Sequence, residues 1–294
     1  MKLYWTITFP LLLFSCELEG VKKVNQEETL TQKEDTLLPK KTEKGKLKRS
    51  FKDSVENILS KVDPEMEKVL KNGIKIKWFK KGSGAPIEKF DVLAIDYRAK
   101  LTDGKVYDGN HLINKSSIAF PVGWNLQTKG WEIALLELNI GDEVEIYLPS
   151  NFARGKKGIP GLVPENADNI LELRVLNKIE PTKVVDGIKA YVVEQSKNHT
   201  KIVKSKSKVA IDYFVSTTSI SRYDNSYQHG KSFEIQIGDK NVMPGLSKGL
   251  LGLKEMDKVY LHIPSKEAYG KKGLRPNVKP NEDLLFDIIL SKVD

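Results

Sequence analysis

The sequence repeats itself once, with a period close to the size of a whole domain. Residues 94–97 spell AIDY and recur at 210–213, and the GKKG of 155–158 recurs at 270–273. The offsets are 213 − 97 = 116 and 270 − 155 = 115, so the register holds along the whole unit. Solenoid repeats have periods of roughly 20–50 residues. A period of domain length indicates instead two copies of one self-sufficient fold.

Length and composition fit two soluble domains and argue against nucleic-acid binding. A chain of 294 residues can bury two cores of ordinary size, and hydrophobic residues at 39% with charged residues at 30% are typical of globular proteins. The formal net charge is +9, but the lysines are dispersed, without an arginine-rich helix or aromatic–basic alternation. Such a charge favours anionic lipid headgroups or acidic client proteins as partners, and nucleic acid is not expected.

The N-terminus has the pattern of an exported, lipid-modified protein. Lys2 precedes an apolar run over 3–14, which is too short to span a bilayer and is typical of a secretory signal over 1–15. Cys16, the only cysteine, follows at once, and LFSC at 13–16 resembles the lipobox of bacterial lipoproteins. The resemblance implies acylation of Cys16 and a periplasm-facing anchor in the bacterial cell envelope, in the outer membrane rather than the inner one.

Two segments separate this signal from the first repeat. Residues 16–50 are polar and charged, cannot bury enough apolar surface to order themselves, and are predicted to form a flexible tether. Residues 51–72 regain apolar spacing, which predicts a helix or a helix pair broken at Asp63-Pro64. The alternative is a transient amphipathic stretch on the tether.

Each repeat then shows several strand patterns around one helical pattern. In the first, apolar residues alternate with lysines from Ile74 to Trp78, and a second strand over 92–101 ends at the turn pair Asp103-Gly104. A helix is predicted over 129–138, followed by strands over 143–148 and 170–179. The pattern predicts an α+β fold in which a short helix packs on an antiparallel sheet.

The repeats are assigned to residues 73–181 and 187–294, joined by a short connector over 181–186. Several separated blocks in them resemble FKBP-type peptidyl-prolyl isomerases. In the second repeat the blocks are residues 211–213 (IDY), 223–226 (YDNS), 242–246 (VMPGL), 268–270 (AYG) and 284–287 (LLFD). In the first repeat they are residues 95–97 (IDY), 103–108 (DGKVYD), 129–132 (KGWE) and 158–164 (GIPGLVP). The resemblance implies two domains, each a curved antiparallel sheet wrapped around a short helix, with a pocket between helix and sheet.

The chemistry of prolyl isomerisation fits the residues in these blocks. An Xaa-Pro bond isomerises over tens to hundreds of seconds behind a barrier of ~20 kcal/mol. Twisting breaks the amide conjugation and leaves a less dipolar group, so a dry aromatic cleft disfavours the planar amide more than the twisted one. A few aimed hydrogen bonds hold the flanking carbonyls. Neither a nucleophile nor a cofactor is needed.

By resemblance, the second repeat has a nearly complete pocket. Its catalytic residues would be Tyr213, Asp224, Tyr269 and Phe286, with Tyr269 donating its hydroxyl to a substrate carbonyl and Asp224 orienting the imide. The substrate-binding residues would be Tyr223, Phe233, Val242, Met243, Leu246 and Val278. Within this set, the Met243 N–H would hold a second carbonyl, and Leu246 replaces the floor tryptophan common in the family.

The first repeat keeps part of the pocket, namely Tyr97, Tyr107, Asp108 and the floor tryptophan Trp131. It departs at four places: Arg154 stands for Tyr269, Gln127-Thr128 for Val242-Met243, Ile118 for Phe233 and Leu171 for Phe286. Two hypotheses remain open at this point. The first repeat is either a weakened isomerase with altered sequence preference or a binding module that recruits clients.

The four histidines show no metal-binding spacing, so neither a metal nor a cofactor is expected. The predicted function is prolyl isomerisation of unfolded or exported proline-containing proteins, with the second repeat as the main catalyst. The resemblance also implies a macrolide as a ligand. The alternatives are a non-enzymatic chaperone or adaptor that binds proline segments through two linked sites, and a component of an envelope machine such as a gliding or secretion apparatus.

Overall fold

The computed structural model describes residues 58–59 and 63–294. The predicted signal over 1–15 and tether over 16–50, with Cys16, lie outside the described residues, as do 51–57 and 60–62 of the predicted helical segment. The described chain forms two seven-stranded antiparallel sheets, each covering one short helix. The α+β architecture predicted from the repeat is therefore confirmed.

The first sheet has the strand order β1-β2-β6-β7-β3-β4, with β5 also paired to β3. Its elements in chain order are β1 Met66–Val69, β2 Lys75–Lys80, β3 Val92–Leu101, β4 Val106–Gly109, β5 Ile118–Pro121, α1 Lys129–Leu135, β6 Glu143–Leu148 and β7 Asn169–Lys178. The strand predicted over 92–101 and the one predicted over 143–148 have these same bounds.

The second sheet has the strand order β11-β10-β14-β13-β9-β8, with β12 paired to β10. Its elements are β8 Lys183–Val185, β9 Ile188–Glu194, β10 Lys208–Thr217, β11 Asp224–Asn225, β12 Phe233–Gln236, α2 Pro244–Leu250, β13 Lys258–Ile263 and β14 Leu284–Val293. The central triplet β13-β14-β10 repeats β6-β7-β3 of the first sheet, as the sequence offsets require.

The segment over 51–72 is not helical where the structure describes it. Met66–Val69 is the edge strand β1, with Met66 opposite Trp78 of β2. Gly73, at φ +83°, lets the chain reverse between the two strands, and the Leu70 N–H donates to the Ile74 carbonyl across the turn at 2.8 Å. The helical prediction is wrong there because the backbone pairs with an alternating strand, whatever the spacing of the apolar side chains.

The connector predicted over 181–186 is also shorter than expected. Lys183–Val185 is a strand that pairs with β9, so only residues 179–182 link the two sheets. Asp186 and Gly187, at φ 52° and 83°, form a two-residue hairpin turn between β8 and β9. An Asp-Gly pair in a two-residue loop is a strong hairpin signal, and the connector predicted over 181–186 does not take it into account.

Each helix packs unusually close to its sheet because glycine faces the contact. A Cβ built on Gly245 of α2 would lie 2.3 Å from Ile263 Cγ2, and one on Gly130 of α1 would lie 2.6 Å from the Phe152 carbonyl oxygen. Both distances are far inside van der Waals contact, so no side chain fits at either position. The width of the space between helix and sheet is thus set by these two glycines.

Neither α1 nor α2, each seven residues long, could cross a bilayer, and no other helix in the described part of the chain is long and apolar enough to do so.

A buried carboxylate closes the turn before β6. Asp142 is fully buried and accepts hydrogen bonds from Trp78 Nε1 at 2.8 Å, from the backbone N–H of Gly82 at 2.7 Å and from that of Asn139 at 2.9 Å. The Lys81 ammonium lies 3.1 Å from the same carboxylate. One side chain therefore ties β2, the loop after it and the end of the helical region together.

Asp142→Ala should destabilise the first domain strongly. Three buried donors would lose their acceptor, which we expect to lower the free energy of unfolding by about 3 kcal/mol. Urea unfolding followed by tryptophan fluorescence measures this in the first domain, because Trp78, Trp124 and Trp131 all lie there.

The matched control is Asp103→Ala, which removes an exposed carboxylate that accepts one hydrogen bond, from the Lys105 N–H at 2.9 Å. It should change the same free energy by less than about 1 kcal/mol. Equal losses in the two variants would show that Asp142 has no special structural role.

Candidate active site

A cavity of about 720 Å³ lies between α2 and the inner face of the second sheet. It is within the size range of small-molecule and peptide side-chain sites. Nine of the ten residues predicted for the second pocket line it: Tyr213, Tyr223, Asp224, Phe233, Val242, Met243, Leu246, Tyr269 and Phe286. The structure therefore brings together residues that are up to 73 positions apart in sequence (286 − 213).

Three aromatic rings form one wall of the cavity because the strand register places them side by side. Phe286 of β14 lies opposite Val215 of β10, and Phe233 of β12 lies opposite Ile211. The Tyr213 ring is 5.7 Å from the Phe286 ring and 6.0 Å from the Phe233 ring, centroid to centroid. Such tilted and edge-on contacts are favourable aromatic geometries.

The floor and the helical side of the cavity come from α2. Leu246 is buried at the floor, and Met243 lies at the wall just before Pro244, the first residue of the helix. Proline at that position is preorganised for a helix start.

Val278 is placed in the domain core and does not line the cavity. It is almost fully buried and exchanges backbone hydrogen bonds with Leu274. Leu274, whose side chain is largely exposed, lines the cavity instead. The prediction for Val278 is wrong because the loop folds back on itself, which turns Val278 inward and presents Leu274 to the opening.

Asp224 is held as a charged acceptor at the edge of the cavity. The Tyr213 hydroxyl donates to its Oδ2 at 2.7 Å, and His229 Nε2 lies 2.8 Å from its Oδ1. Burial pushes the pKa of Asp224 upward, but the hydrogen bonds from Tyr213 and His229 outweigh it, and the pKa lies below its ordinary value. Asp224 thus carries a negative charge in a largely aromatic site.

Tyr269 provides a neutral donor. It lines the cavity after the short turn Ser265–Glu267, and both burial and the nearby charge of Asp224 raise the pKa of its hydroxyl. The hydroxyl therefore keeps its proton at neutral pH and can donate to a carbonyl. Asp224 is thus a charged acceptor and Tyr269 a neutral donor in a cavity that also has the polar lining residues Ser226, His229, Lys231, Ser232, Glu234 and Asn241.

Sequence reasoning missed His229, because the histidine spacing was used only to exclude a metal site. It lies in the turn after β11, five residues beyond Asp224, and both side chains line the cavity. Ser226 was quoted only as part of a motif, yet its hydroxyl accepts a hydrogen bond from the Tyr213 N–H at 3.0 Å. Their position directly after Tyr223-Asp224 was the only available signal.

In the first domain the corresponding residues are buried and packed against one another. Trp131 of α1 is buried, and its ring centroid lies 5.2 Å from that of Tyr97 and 5.5 Å from that of Phe120. Leu171, the counterpart of Phe286, is buried in the same core cluster, with Ile118 packed against it. A tryptophan thus has the floor position that Leu246 has in the second domain.

Polar side chains lie beside these buried residues. Arg154 Nη2 donates to Gln127 Oε1 at 3.1 Å, and Gln127 is buried. Tyr107 packs with Ile159 and Val163 in a separate small cluster. The residues that stand for Tyr269 and Val242 therefore bond to each other across the opening.

The Tyr-Asp pair is also present in the first domain, but there the pKa of the aspartate is shifted in the other direction. The Tyr97 hydroxyl donates to Asp108 Oδ1 at 3.1 Å, and the Gly109 N–H donates to the same atom at 2.8 Å. Burial raises the pKa of Asp108 above its ordinary value, and these hydrogen bonds only partly oppose the shift. The two aspartates are thus shifted in opposite directions.

Among the described residues, no cluster of histidine, cysteine, aspartate and glutamate has the geometry to hold a metal ion.

The opposite pKa shifts predict opposite effects of asparagine on stability. The raised pKa of Asp108 means that its charge opposes folding once the pH exceeds the folded pKa, so Asp108→Asn should stabilise the first domain at pH 7. The lowered pKa of Asp224 contributes stability above the unfolded value of ~3.9, which is lost as the pH falls through the folded pKa. Asp224→Asn should therefore destabilise the second domain at pH 7.

Calorimetric unfolding at pH 7 and at pH 3 tests both signs. The difference in stability between each variant and the unaltered protein should shrink at pH 3, where the carboxyl groups of folded and unfolded chains approach the same protonation state. A stabilising Asp224→Asn, or a destabilising Asp108→Asn, at pH 7 would contradict the electrostatic description.

Known proteins resemble this chain in both of its halves. The profile described as "FKBP-type peptidyl-prolyl cis-trans isomerase" matches residues 84–176 and 199–291. "Peptidyl-prolyl cis-trans isomerase FKBP10" of Mus musculus is 24% identical over 210 residues, which is 70% of this chain and 35% of that protein. "Peptidyl-prolyl cis-trans isomerase FKBP9" of Homo sapiens is 27% identical over 203 residues, covering 69% and 35%. The chain thus spans about a third of the length of these curated relatives.

A shorter match is to "FK506-binding protein 4" of Rhizopus delemar, 32% identical over 108 residues, or 37% of this chain and 28% of that protein. Among solved structures, "Crystal Structure of the 3 FKBP domains of wheat FKBP73" covers 76% of this chain and 96% of its own, at 20% identity and a TM-score of 0.39. The two profile matches together cover more than half of the chain, and each lies within the span of one of its two sheets. The chain belongs to the FKBP-type peptidyl-prolyl cis-trans isomerase family, with two tandem domains of that family.

Proposed function

We propose that this protein catalyses prolyl cis–trans isomerisation and that the second domain carries the turnover. The observation that carries the proposal is the 720 Å³ cavity, which combines a wall of three aromatic rings with the Tyr269 donor and the charged Asp224. Family membership supports the reaction class.

The cavity suits a reaction whose transition state is less dipolar than its ground state. A proline ring seated between Tyr213, Phe233 and Phe286 leaves water, and the planar amide loses more favourable solvation than the twisted one. Tyr269 donates to a carbonyl next to the proline and stabilises the orientation reached in the twisted state. Asp224, fixed by Tyr213 and His229, orients the imide without moving during the reaction.

The first domain is proposed to be the weaker or inactive copy. Its Tyr97, Trp131 and Leu171 side chains are buried in one cluster, and a hydrogen bond joins Arg154 and Gln127, which stand for Tyr269 and Val242. The adaptor alternative needs two open proline-binding pockets for its avidity, so this burial favours catalysis at one site.

We further propose that the clients are unfolded or exported proline-containing proteins, met in the bacterial envelope by a protein tethered through acylated Cys16. Support comes from the signal-like residues 1–15 and the single cysteine that follows them. A macrolide is the proposed small-molecule ligand of the second cavity, with Leu246 giving a smaller apolar floor than tryptophan would.

Tyr269→Phe in the full-length chain should lower kcat/KM for an Xaa-Pro peptide by about tenfold. The expected loss corresponds to one hydrogen bond of about 1.5 kcal/mol that is made in the transition state. A protease-coupled or NMR exchange assay of cis–trans interconversion measures the rate. Asp224→Ala should show a loss of similar size, because it removes the polar point opposite Tyr269.

The repeat provides the matched comparison, Asp108→Ala in the first domain. Its rate should equal that of the unaltered chain, because the Asp108 pocket is closed. An unchanged rate in Tyr269→Phe and Asp224→Ala would disprove the site, and a loss confined to Asp108→Ala would move catalysis to the first domain.

Cys16→Ser should abolish incorporation of labelled palmitate in bacterial cells and release the protein from the membrane fraction. Lipid transfer requires the thiol, which serine does not supply. Labelling of the serine variant at the level of the unaltered chain would disprove the anchor.

A further inference from the structure

One contact between the first and second domains centres on a histidine. His262 of β13 is buried between two aromatic residues of the first domain, with its ring centroid 5.1 Å from that of Phe90 and 5.2 Å from that of Trp124. The Trp124 contact is edge-on, at 73°. A histidine on the outer face of one sheet is thus enclosed by rings from another domain.

Phe90 lies in a turn that both domains share. It has φ 72°, and its N–H donates to the Val122 carbonyl at 3.0 Å. Lys206 has the same place in the second domain, with φ 65° and its N–H donating to the Ile237 carbonyl at 3.2 Å. The left-handed turn therefore belongs to the repeated fold, and the aromatic ring at position 90 is specific to the first domain.

From His262 a short chain of hydrogen bonds leads to the turn that precedes Tyr269. His262 Nε2 lies 2.9 Å from Asp283 Oδ2, and Asp283 Oδ1 accepts from the Ser265 N–H at 2.7 Å. Ser265 begins the turn Ser265–Glu267, which is followed by Ala268 and Tyr269. The position of that turn determines where the Tyr269 hydroxyl lies in the cavity.

The first domain contains the same arrangement without a neighbouring domain enclosing it. There Tyr147 occupies the place of His262, bonds to Asp168, and Asp168 accepts from the Ser150 N–H at 2.8 Å. The Lys75 ammonium lies over the Tyr147 ring at 5.4 Å. The Asp–Ser bond therefore belongs to the repeated fold, whereas the aromatic enclosure is specific to the second domain.

A second contact leads to the other side of the cavity. Asn125 Nδ2 donates to the Thr218 carbonyl at 2.6 Å, and Thr218 Oγ1 donates to Glu282 at 2.9 Å. Lys279 Nζ donates to Ser219 at 2.9 Å, which ties the loop after β10 to the loop before β14. These loops continue into two cavity walls, Tyr223-Asp224 on one side and Leu274 on the other.

We propose that the first domain is a positioning element for the second active site, acting through Phe90, Trp124 and Asn125 on His262 and Thr218. The inference rests on the proposed function and assigns a task to the copy whose own pocket is closed. By holding the His262–Asp283–Ser265 chain, the first domain fixes the turn that carries Tyr269. None of Phe90, Trp124 and Asn125 lines the cavity. They act on turnover only through this chain of bonds.

The test is the double variant Phe90→Gly, Asn125→Gly in the full-length chain. Both residues have left-handed backbones, at φ 72° and 51°, which glycine adopts without strain, so the first domain should remain folded. We expect faster amide hydrogen exchange at Ser265 and a three- to tenfold fall in kcat/KM, about the coupling seen within one hydrogen-bond network. The fall should lie in kcat, because Tyr269 acts in the transition state.

A double-mutant cycle separates positioning from general destabilisation. In a Tyr269→Phe background the double variant should cause no further loss, because the hydroxyl that it positions is absent. The control is Asn166→Gly, at φ 55° in an exposed turn of the first domain, which should leave both the rate and the Ser265 exchange unchanged.

Unchanged exchange at Ser265 in the double variant would overturn the inference, and so would an equal loss of rate with and without the Tyr269 hydroxyl. Failure of the proposed function gives a different result, a full-length chain with no isomerase activity. The Ser265 exchange decides the positioning role in that case too, because it does not depend on turnover.

Discussion

The distance between helix and sheet is the constraint on which both domains depend. Gly130 and Gly245 let α1 and α2 approach so closely that a single methyl group would collide with Phe152 or Ile263. At that spacing, the side chain that follows the glycine on the helix lies at the floor of the space beside it. This residue is Trp131 in the first domain and Leu246 in the second, where the cavity measures about 720 Å³. The chemistry of each copy follows from a choice of side chain on an unchanged scaffold.

The Tyr-Asp pair shows how the same two residues take different roles in the two copies. In the second domain, Asp224 receives a second partner, His229, and stays charged beside an open cavity. In the first, Asp108 lies deeper, and burial dominates its ionisation. A carboxylate that must orient a substrate needs its charge and an open face, and only Asp224 has both. The electrostatic difference and the difference in volume point to the same domain.

Much of the fold and site could be predicted because the information was local or repeated. The strands at 92–101 and 143–148 follow from alternation, and nine of the ten pocket residues of the second domain follow from motifs that keep their spacing. The failures occur where long-range pairing decides the outcome. Met66–Val69 has helical apolar spacing but pairs with β2, and Val278 turns inward because its loop folds back onto Leu274. His229 was missed because its place shortly after Asp224 was the only sequence signal, and its role depends on a turn that brings it back to Asp224.

The four residues 179–182 between β7 and β8 make docking of the two domains almost an intramolecular folding step. Fully extended, four residues reach only ~14 Å, at 3.3–3.6 Å per residue. If Phe90 and Trp124 released His262, the partners would stay at an effective concentration in the millimolar range or above, as short linkers provide. Any separation of the two domains would therefore be brief, and they would dock again quickly. A contact of a few aromatic rings, too small to hold two separate proteins together, is enough to keep two covalently joined domains in register.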